Sequence, residues 1–211
     1  MTDIENYSAF LHLDGNVLAA IDVETTGRRA GFHEICQIGI QILDKNLQPH
    51  TALREHYFYK NMKPKYIDRI NRSSMRVNKL SVEDLEYCAT QEEVADQLEA
   101  WFKRLPIPFK KRLIPLAHNW VFDRGFIEHW LGPDACNDFF HPYFRDTMLT
   151  AINQNDRCHF HGIDIPYRYV NMEYLCKVLR VENPNSHDAL SDARTTAELY
   201  RRMLMLDYGE F

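Results

Sequence analysis

Ala20-Ile21-Asp22-Val23-Glu24-Thr25-Thr26-Gly27 is the stretch on which the fold turns. It continues an apolar run from Val17 to Ile21, the pattern of a strand buried on both faces, and then sets two carboxylates where such a strand should not tolerate them. Residues two apart on a strand share a face at roughly 6.5 to 7 Å, so Asp22 and Glu24 point together while Val23 points back into the core. Two carboxylates aimed at one spot repel unless a cation lies between them, and hard divalent ions take oxygen ligands. The pattern predicts a metal at the C-terminal end of a central strand, where ligands gather in open α/β sheets. A strand that merely ends in a polar loop also fits these residues taken alone.

The rest of the chain sets the frame. Its 211 residues, 45% apolar and 26% charged, suit one globular domain spanning 1–211, with a core from about 17 to 206. Met1 to Asn6 carries no basic patch leading into an apolar core, and no apolar run reaches a membrane span, which predicts a cytoplasmic protein without membrane contact. Cys36, Cys88, Cys136, Cys158 and Cys176 are odd in number, scattered and without a Cys-x-x-Cys pair, as thiols in a reducing compartment are. A net charge of -5 argues against a surface coated in basic residues but leaves room for a local basic track.

Past Gly27 to His33, the near alternation of Glu34 to Leu43 predicts a second strand, antiparallel because the turn is too short for a crossover helix. Glu55 to Tyr59 predicts a third. Lys60, Lys63, Lys65, Arg69, Arg72, Arg76 and Lys79 face the single acid Asp68. A helix over 67–79 would place Arg69, Arg72, Arg76 and Lys79 on one side, a candidate nucleic-acid track or a plain solvated face. Thr90 and Glu93 form a capping box that opens a helix running to Pro106. Leu113 to Ala117 is then a strand free to lie parallel to the first. Asn119 is the expected cap of a helix packed through Phe122, Phe126, Ile127 and Trp130 and stopped by Gly132-Pro133. Residues 132–145 read as loop, a short fifth strand ends near Asp146-Thr147, and a helix follows to about Asn155. Residues 156–170 read as loop, since His159-x-His161 beside Cys158 lacks the spaced partners of a zinc module. Helices over Asn171 to Arg180 and about His187 to Leu206 close the chain, the latter with Ala189, Ala193 and Ala197 set for close approach to the sheet.

Asp123 near a helix start, and His187 with Asp192 at the start of the last helix, are acids and a base of the kind the first strand asks for. Each also has an ordinary reading as a cap, a helix-dipole partner or a solvated surface residue. Five helical residues turn through about 140° beyond one full turn, so His187 belongs in a loose first turn while Asp192 is held rigidly.

In their order, Asp22-Val23-Glu24-Thr25-Thr26-Gly27, Ala117-His118-Asn119-x-x-Phe122-Asp123 and His187-Asp188-Ala189-x-x-Asp192 resemble the three motifs of the DEDDh (DnaQ-like) 3′ to 5′ exonucleases. The resemblance implies a ribonuclease H-like α/β fold with a five-stranded mixed sheet, three antiparallel strands joined by two parallel ones. It implies that Asp22, Glu24, Asp123 and Asp192 ligate two divalent ions, Mg²⁺ or Mn²⁺, with His187 as general base, and that Thr25, Thr26, His118, Asn119 and Phe122 contact substrate. A tyrosine branch of the family has its aromatic base four residues before the last acid, where this chain has Asp188. Ser73 to Asn78 and the 156–170 loop depart from the family pattern. The expected substrate is a single-stranded or frayed 3′ end of DNA, with RNA trimming of the oligoribonuclease or ribonuclease T kind as the alternative. A non-catalytic nucleic-acid-binding subunit is the alternative of another class, and a homodimer or a polymerase or repair partner are the assemblies to consider.

Overall fold

A computed structural model describes residues 15–206. Met1 to Asn6, read above for a leader, lies outside them. The centre is one five-stranded sheet in the order β3-β2-β1-β4-β5: β1 (Val17–Thr25), β2 (Ile35–Ile42), β3 (Tyr57–Asn61), β4 (Leu113–Ala117) and β5 (Arg145–Asp146). β1, β2 and β3 form an antiparallel meander, whereas β4 lies parallel to β1 and β5 parallel to β4. That is the mixed sheet the sequence predicts. β3 begins two residues later than expected, because Tyr57 to Asn61 is the segment that pairs with Gln37 to Gln41.

The alternation of β1 sorts the two faces. Val17, Ala19, Ile21 and Val23 pack with Val94, Leu98 and Trp101 of α3 (Gln91–Arg104) and with Phe126 and Ile127 of α4 (Trp120–Leu131). Leu18 and Ala20 pack on the other side with Ala193, Ala197 and Tyr200 of α8 (Ala189–Met205). Asp22 and Glu24 share the parity of Leu18 and Ala20, which turns them toward α8. That helix comes very close: a Cβ on Gly39 of β2 would meet the backbone nitrogen of Leu190 at 2.4 Å. Small residues on both sides, Gly39 and the alanine ladder, allow backbone to rest on backbone, and the start of α8 lands over the end of β1.

The capping box holds as expected, with the Thr90 and Glu93 side chains each taking the other's backbone N–H. Four expectations need correction. The basic segment is not one helix: Ile67–Arg69 is a single 3₁₀ turn, Ile70 is extended, and Asn71 caps a new helix, α1 (Arg72–Asn78), by accepting from the N–H groups of Ser73 and Ser74. Lys79 closes α1 in the left-handed conformation, φ 58°. Residues 132–145 contain a helix, α5 (Pro133–Phe139), because a proline after a glycine can begin a helix as readily as it ends one. The helix after β5, α6 (Thr147–Phe160), runs past Asn155 and takes in a buried Cys158, which anchors its last turn. Asn119 gives no side-chain cap to α4 and sits at φ 73°. Asp146 does that work instead, its carboxylate accepting from the backbone N–H groups of Asn119 (3.2 Å) and Trp120 (2.7 Å) while also capping α6. The remaining helices are a short α2 (Val82–Leu85) and α7 (Met172–Leu179).

Candidate active site

At the end of β1 the register against β2 shifts, Glu24 pairing with Gln37 and Thr25 with Ile35, so that the extra residue, Cys36, bulges from β2. Bulges re-aim side chains, and this one lies where two acids leave the sheet. Asp123, in the first turn of α4, comes in from the opposite side: its buried Oδ1 accepts the backbone N–H of Val23 at 3.1 Å, between the two acids of the strand. From α8 comes Asp192, also buried, with Oδ2 accepting the His187 backbone N–H (2.9 Å) and Oδ1 accepting the Asn183 amide (2.7 Å). His187 stands before the helix rather than in its first turn, exposed and at φ 68°, and Asp188 is the cap. Glu24, His187 and Asp192 each bring one ligand atom within 4.8 Å of the others, the one such group of three or more among the described residues; His159 and His161 form none.

The electrostatics of this cluster are those of acids with nowhere to put their charge. Burial, then repulsion from Asp123, Glu24, Asp192 and Asp188, pushes the Asp22 carboxyl well above the usual range. Burial and the charges of Asp192 and Asp188 push Glu24 up to about 8, against a hydrogen bond from Asn78 that lowers it. Asp123 is raised by burial, although the Val23 N–H pulls the other way, and Asp192 is raised by burial against its bonds from Asn183 and His187. Among the described residues, no lysine or arginine pairs with any of these carboxylates. Oxygen donors crowded together without a cationic partner suit hard divalent ions, which would neutralise them.

Residues that the sequence reading did not single out hold the frame. Gln37, buried on β2, accepts the backbone N–H of Ala189 (2.7 Å) and donates to Tyr59 (2.9 Å) and Asn61 (2.8 Å). The Tyr59 hydroxyl donates to Asp188. This network ties the first residues of α8, and with them His187, to β2 and β3. Asn78 donates to the carbonyl of Thr25 at 3.1 Å. Only Asp188 had a signal, as an acid standing where a helix begins.

The expected substrate contacts divide. Thr25 and Thr26 are buried with their hydroxyls engaged, Thr25 donating to the Gly27 carbonyl (2.6 Å) and Thr26 accepting from the Glu34 N–H (3.0 Å). His118, Asn119 and Phe122 are partly exposed around the β4 end. His118 meets the Thr147 hydroxyl at 2.8 Å, and burial lowers its pKa. Of the basic residues, Lys79 donates to the Ser186 carbonyl at 3.0 Å, next to His187. Arg76 turns back to the Arg72 carbonyl, and Arg69 stands apart from both, over Tyr66.

The chain is similar to known proteins in sequence and in fold. The chain is 25% identical to the 3′-5′ DNA exonuclease Cap18 of Escherichia coli over 193 residues, 90% of this chain and 93% of that one. It is 28% identical to ribonuclease T of Shewanella frigidimarina over 209 residues, covering 95% and 88%. The solved complex of E. coli exonuclease I with single-stranded DNA, in its zinc-bound form, matches 89% of this chain and 40% of that chain at a TM-score of 0.66 and 16% identity, a likeness of fold. The family model RNase_T, described as Exonuclease, matches residues 19–200. This chain belongs to that exonuclease family.

Proposed function

We propose that the protein is a DEDDh-type 3′ to 5′ exonuclease acting on single-stranded or frayed DNA ends and releasing nucleoside 5′-monophosphates. The observation that carries this reading is the close approach of Glu24, Asp192 and His187, each with a ligand atom within 4.8 Å of the others, while Asp22 feels the charges of Glu24, Asp123 and Asp192 and Asp123 accepts the Val23 N–H between the two acids of the strand. Asp22, Glu24, Asp123 and Asp192 would hold two divalent ions, Mg²⁺ or Mn²⁺, which supply neutralisation of the phosphate and of the leaving oxygen. The chain supplies the rest. His187, exposed at the rim, takes the proton of the attacking water on a ring nitrogen, and Asp192 fixes the turn that carries it through the His187 N–H. His118, Asn119 and Phe122 line the approach of the terminal nucleotide, and Arg72 and Arg76 are exposed charges that would meet its backbone. Thr25 shapes the strand end rather than donating to substrate, because its hydroxyl donates to the Gly27 carbonyl, whereas the Thr26 hydroxyl accepts from the Glu34 N–H and keeps its own proton to give.

RNA is the second reading, favoured by the 28% identity to a ribonuclease T. Five cysteines without disulfide partners support a reducing, cytoplasmic setting. No helix among the described residues is long and apolar enough to cross a membrane. The deciding experiment incubates the protein with end-labelled DNA and RNA of matched sequence, with Mg²⁺, with Mn²⁺ and with a chelator. Mononucleotides released from the 3′ end of DNA, and lost with the chelator, are the expected result. Release from RNA alone transfers the activity to the second reading, and release from neither polymer removes both.

A further inference from the structure

The turn from Gly27 to His33 follows directly on the catalytic strand, and it is rigidly built. The Arg29 carbonyl accepts the N–H groups of Phe32 (3.1 Å) and His33 (2.8 Å), and the His33 ring accepts the Arg29 N–H (3.1 Å). That ring lies against Gly27 so closely that a Cβ there would meet it at 2.1 Å. A turn braced in this way presents Phe32 to solvent, 38% exposed. Two guanidiniums lie over the Phe32 ring, Arg29 at 4.3 Å and Arg69 at 5.3 Å, and Arg69 also covers Tyr66 at 3.8 Å. Neither arginine has a carboxylate partner among the described residues, although the chain is acidic overall and Asp68 adjoins Arg69. Beneath them opens a cleft of about 140 Å³, reached past Phe32, His33, Tyr66, His129 and Trp130.

This surface is fastened to the catalytic centre. The Asn71 N–H donates to the Thr26 carbonyl (2.8 Å), the Tyr66 N–H donates to Glu34 (2.9 Å), and Thr26 is the residue that follows β1, two beyond Glu24.

We propose that Arg29, Phe32, Tyr66 and Arg69 form a stacking platform that holds the single strand on the 5′ side of the nucleotide being removed. The inference rests on the exonuclease reading for its occupant. A polymer whose 3′ end sits among the carboxylates can extend away only through its 5′ portion. Unsequenced recognition of a single strand needs π-faces for bases and unpaired cations for phosphates, and these four residues supply both. Arginine serves here better than lysine, because its planar group stacks on the ring and keeps its fork free for phosphate. The platform also replaces the continuous basic helix over 67–79, which the Asn71 cap breaks: of that stripe, Arg69 alone joins it.

The test measures binding of labelled single strands of about 12 nucleotides, and of a dinucleotide, by fluorescence anisotropy across a salt series, in the full-length Asp22→Asn protein with Mg²⁺. Phe32→Ala is expected to weaken the longer strand about tenfold or more and leave the dinucleotide unchanged, with Phe32→Tyr restoring it. Arg29→Ala with Arg69→Ala is expected to flatten the salt dependence by about 1.4 in slope, two phosphates' worth. Equal binding of the longer strand in parent and variants overturns the platform, as does a loss of the same proportion for both lengths or a parent that binds no single strand. A protein that binds and responds to Phe32→Ala as described, but whose wild-type form hydrolyses neither DNA nor RNA, overturns the exonuclease reading and leaves the platform standing.

Discussion

Asp123 and Val23 lie 100 residues apart, and the carboxylate of one accepts the backbone N–H of the other at 3.1 Å. That bond does two things at once. It places a buried acid between Asp22 and Glu24, and it gives the acid one compensating partner in an environment that otherwise disfavours its charge. Asp123→Asn keeps an oxygen for Val23 and discards the charge. The variant should fold with an unchanged far-UV spectrum and lose about 10²-fold or more in kcat, the worth of several kcal/mol of ion-mediated stabilisation. A kcat within threefold of wild type would remove Asp123 from the catalytic set.

Crowded acids make stability depend on pH in an unusual direction. Glu24 titrates near 8 in the folded chain against 4.5 ordinarily, and Asp22 and Asp123 shift the same way. Between those values the folded state holds protons that the unfolded state has released, so stability falls as pH rises toward 8 and is recovered on acidification. In chelator, the melting temperature should drop from about pH 6 to about pH 8, and Mg²⁺ should restore more at the higher pH. Metal-free Asp22→Asn should melt at a higher temperature than wild type, with a flatter pH profile. A wild-type melting temperature that rises across this range would contradict the crowding.

Much of this was legible because it is local. The parity of β1, the Thr90 and Glu93 capping box and the alanine ladder of α8 each write their geometry into neighbouring residues. What was not legible depends on partners far away in the chain. Gln37 meets Ala189 across 152 residues and Tyr59 meets Asp188 across 129, and no periodicity marks either pair. Other errors came from signals with two meanings. Gly132-Pro133 both stops α4 and starts α5, and Asn71 begins a helix inside what reads as a continuous basic stripe. The capping role of Asp146 has no mark in the sequence because its four N–H donors come from two different segments.

Tyr59 and His187 should separate positioning from proton transfer. His187→Ala removes the proposed base and is expected to cost about 10² to 10⁴ in kcat while Mg²⁺ affinity, read by calorimetry, stays. Tyr59→Phe leaves the base in place but frees Asp188 and the turn beside it, for an expected loss of about tenfold in kcat, little change in KM, and about 1 kcal/mol of stability. If Tyr59→Phe lowers stability with kcat intact, the network serves the fold alone.

Gly39→Ala tests how closely α8 must approach. The added methyl would meet backbone atoms of Ala189 and Leu190 at 2.4 to 2.6 Å, and backbone cannot swing aside as a side-chain tip can. The helix start must lift, carrying Asp192 with it. A loss of about 3 kcal/mol or more, measured in urea, should come together with a loss of activity that excess Mg²⁺ does not repair. Preserved activity would mean that Asp192 tolerates the displacement.

Asp146 gives the opposite case to Asp22. Both are acids near strand ends, but Asp146 accepts from the N–H groups of Asn119, Trp120, Met148 and Leu149, at 2.7 to 3.2 Å, so its charge is satisfied by two helix starts. Asp146→Ala leaves those donors without their carboxylate at once. A cap alone is worth about 0.5 to 2 kcal/mol, so losing both should cost about 1 to 4 kcal/mol in denaturant titration. Mg²⁺ affinity, measured below the new melting temperature, should stay within a few fold, because Asp146 supplies no ligand. The contrast is the informative part: Asp22→Asn should raise metal-free stability and abolish turnover, whereas Asp146→Ala should lower stability and spare metal binding. Loss of Mg²⁺ binding in a folded Asp146→Ala protein would make Asp146 part of the metal site and not its scaffold.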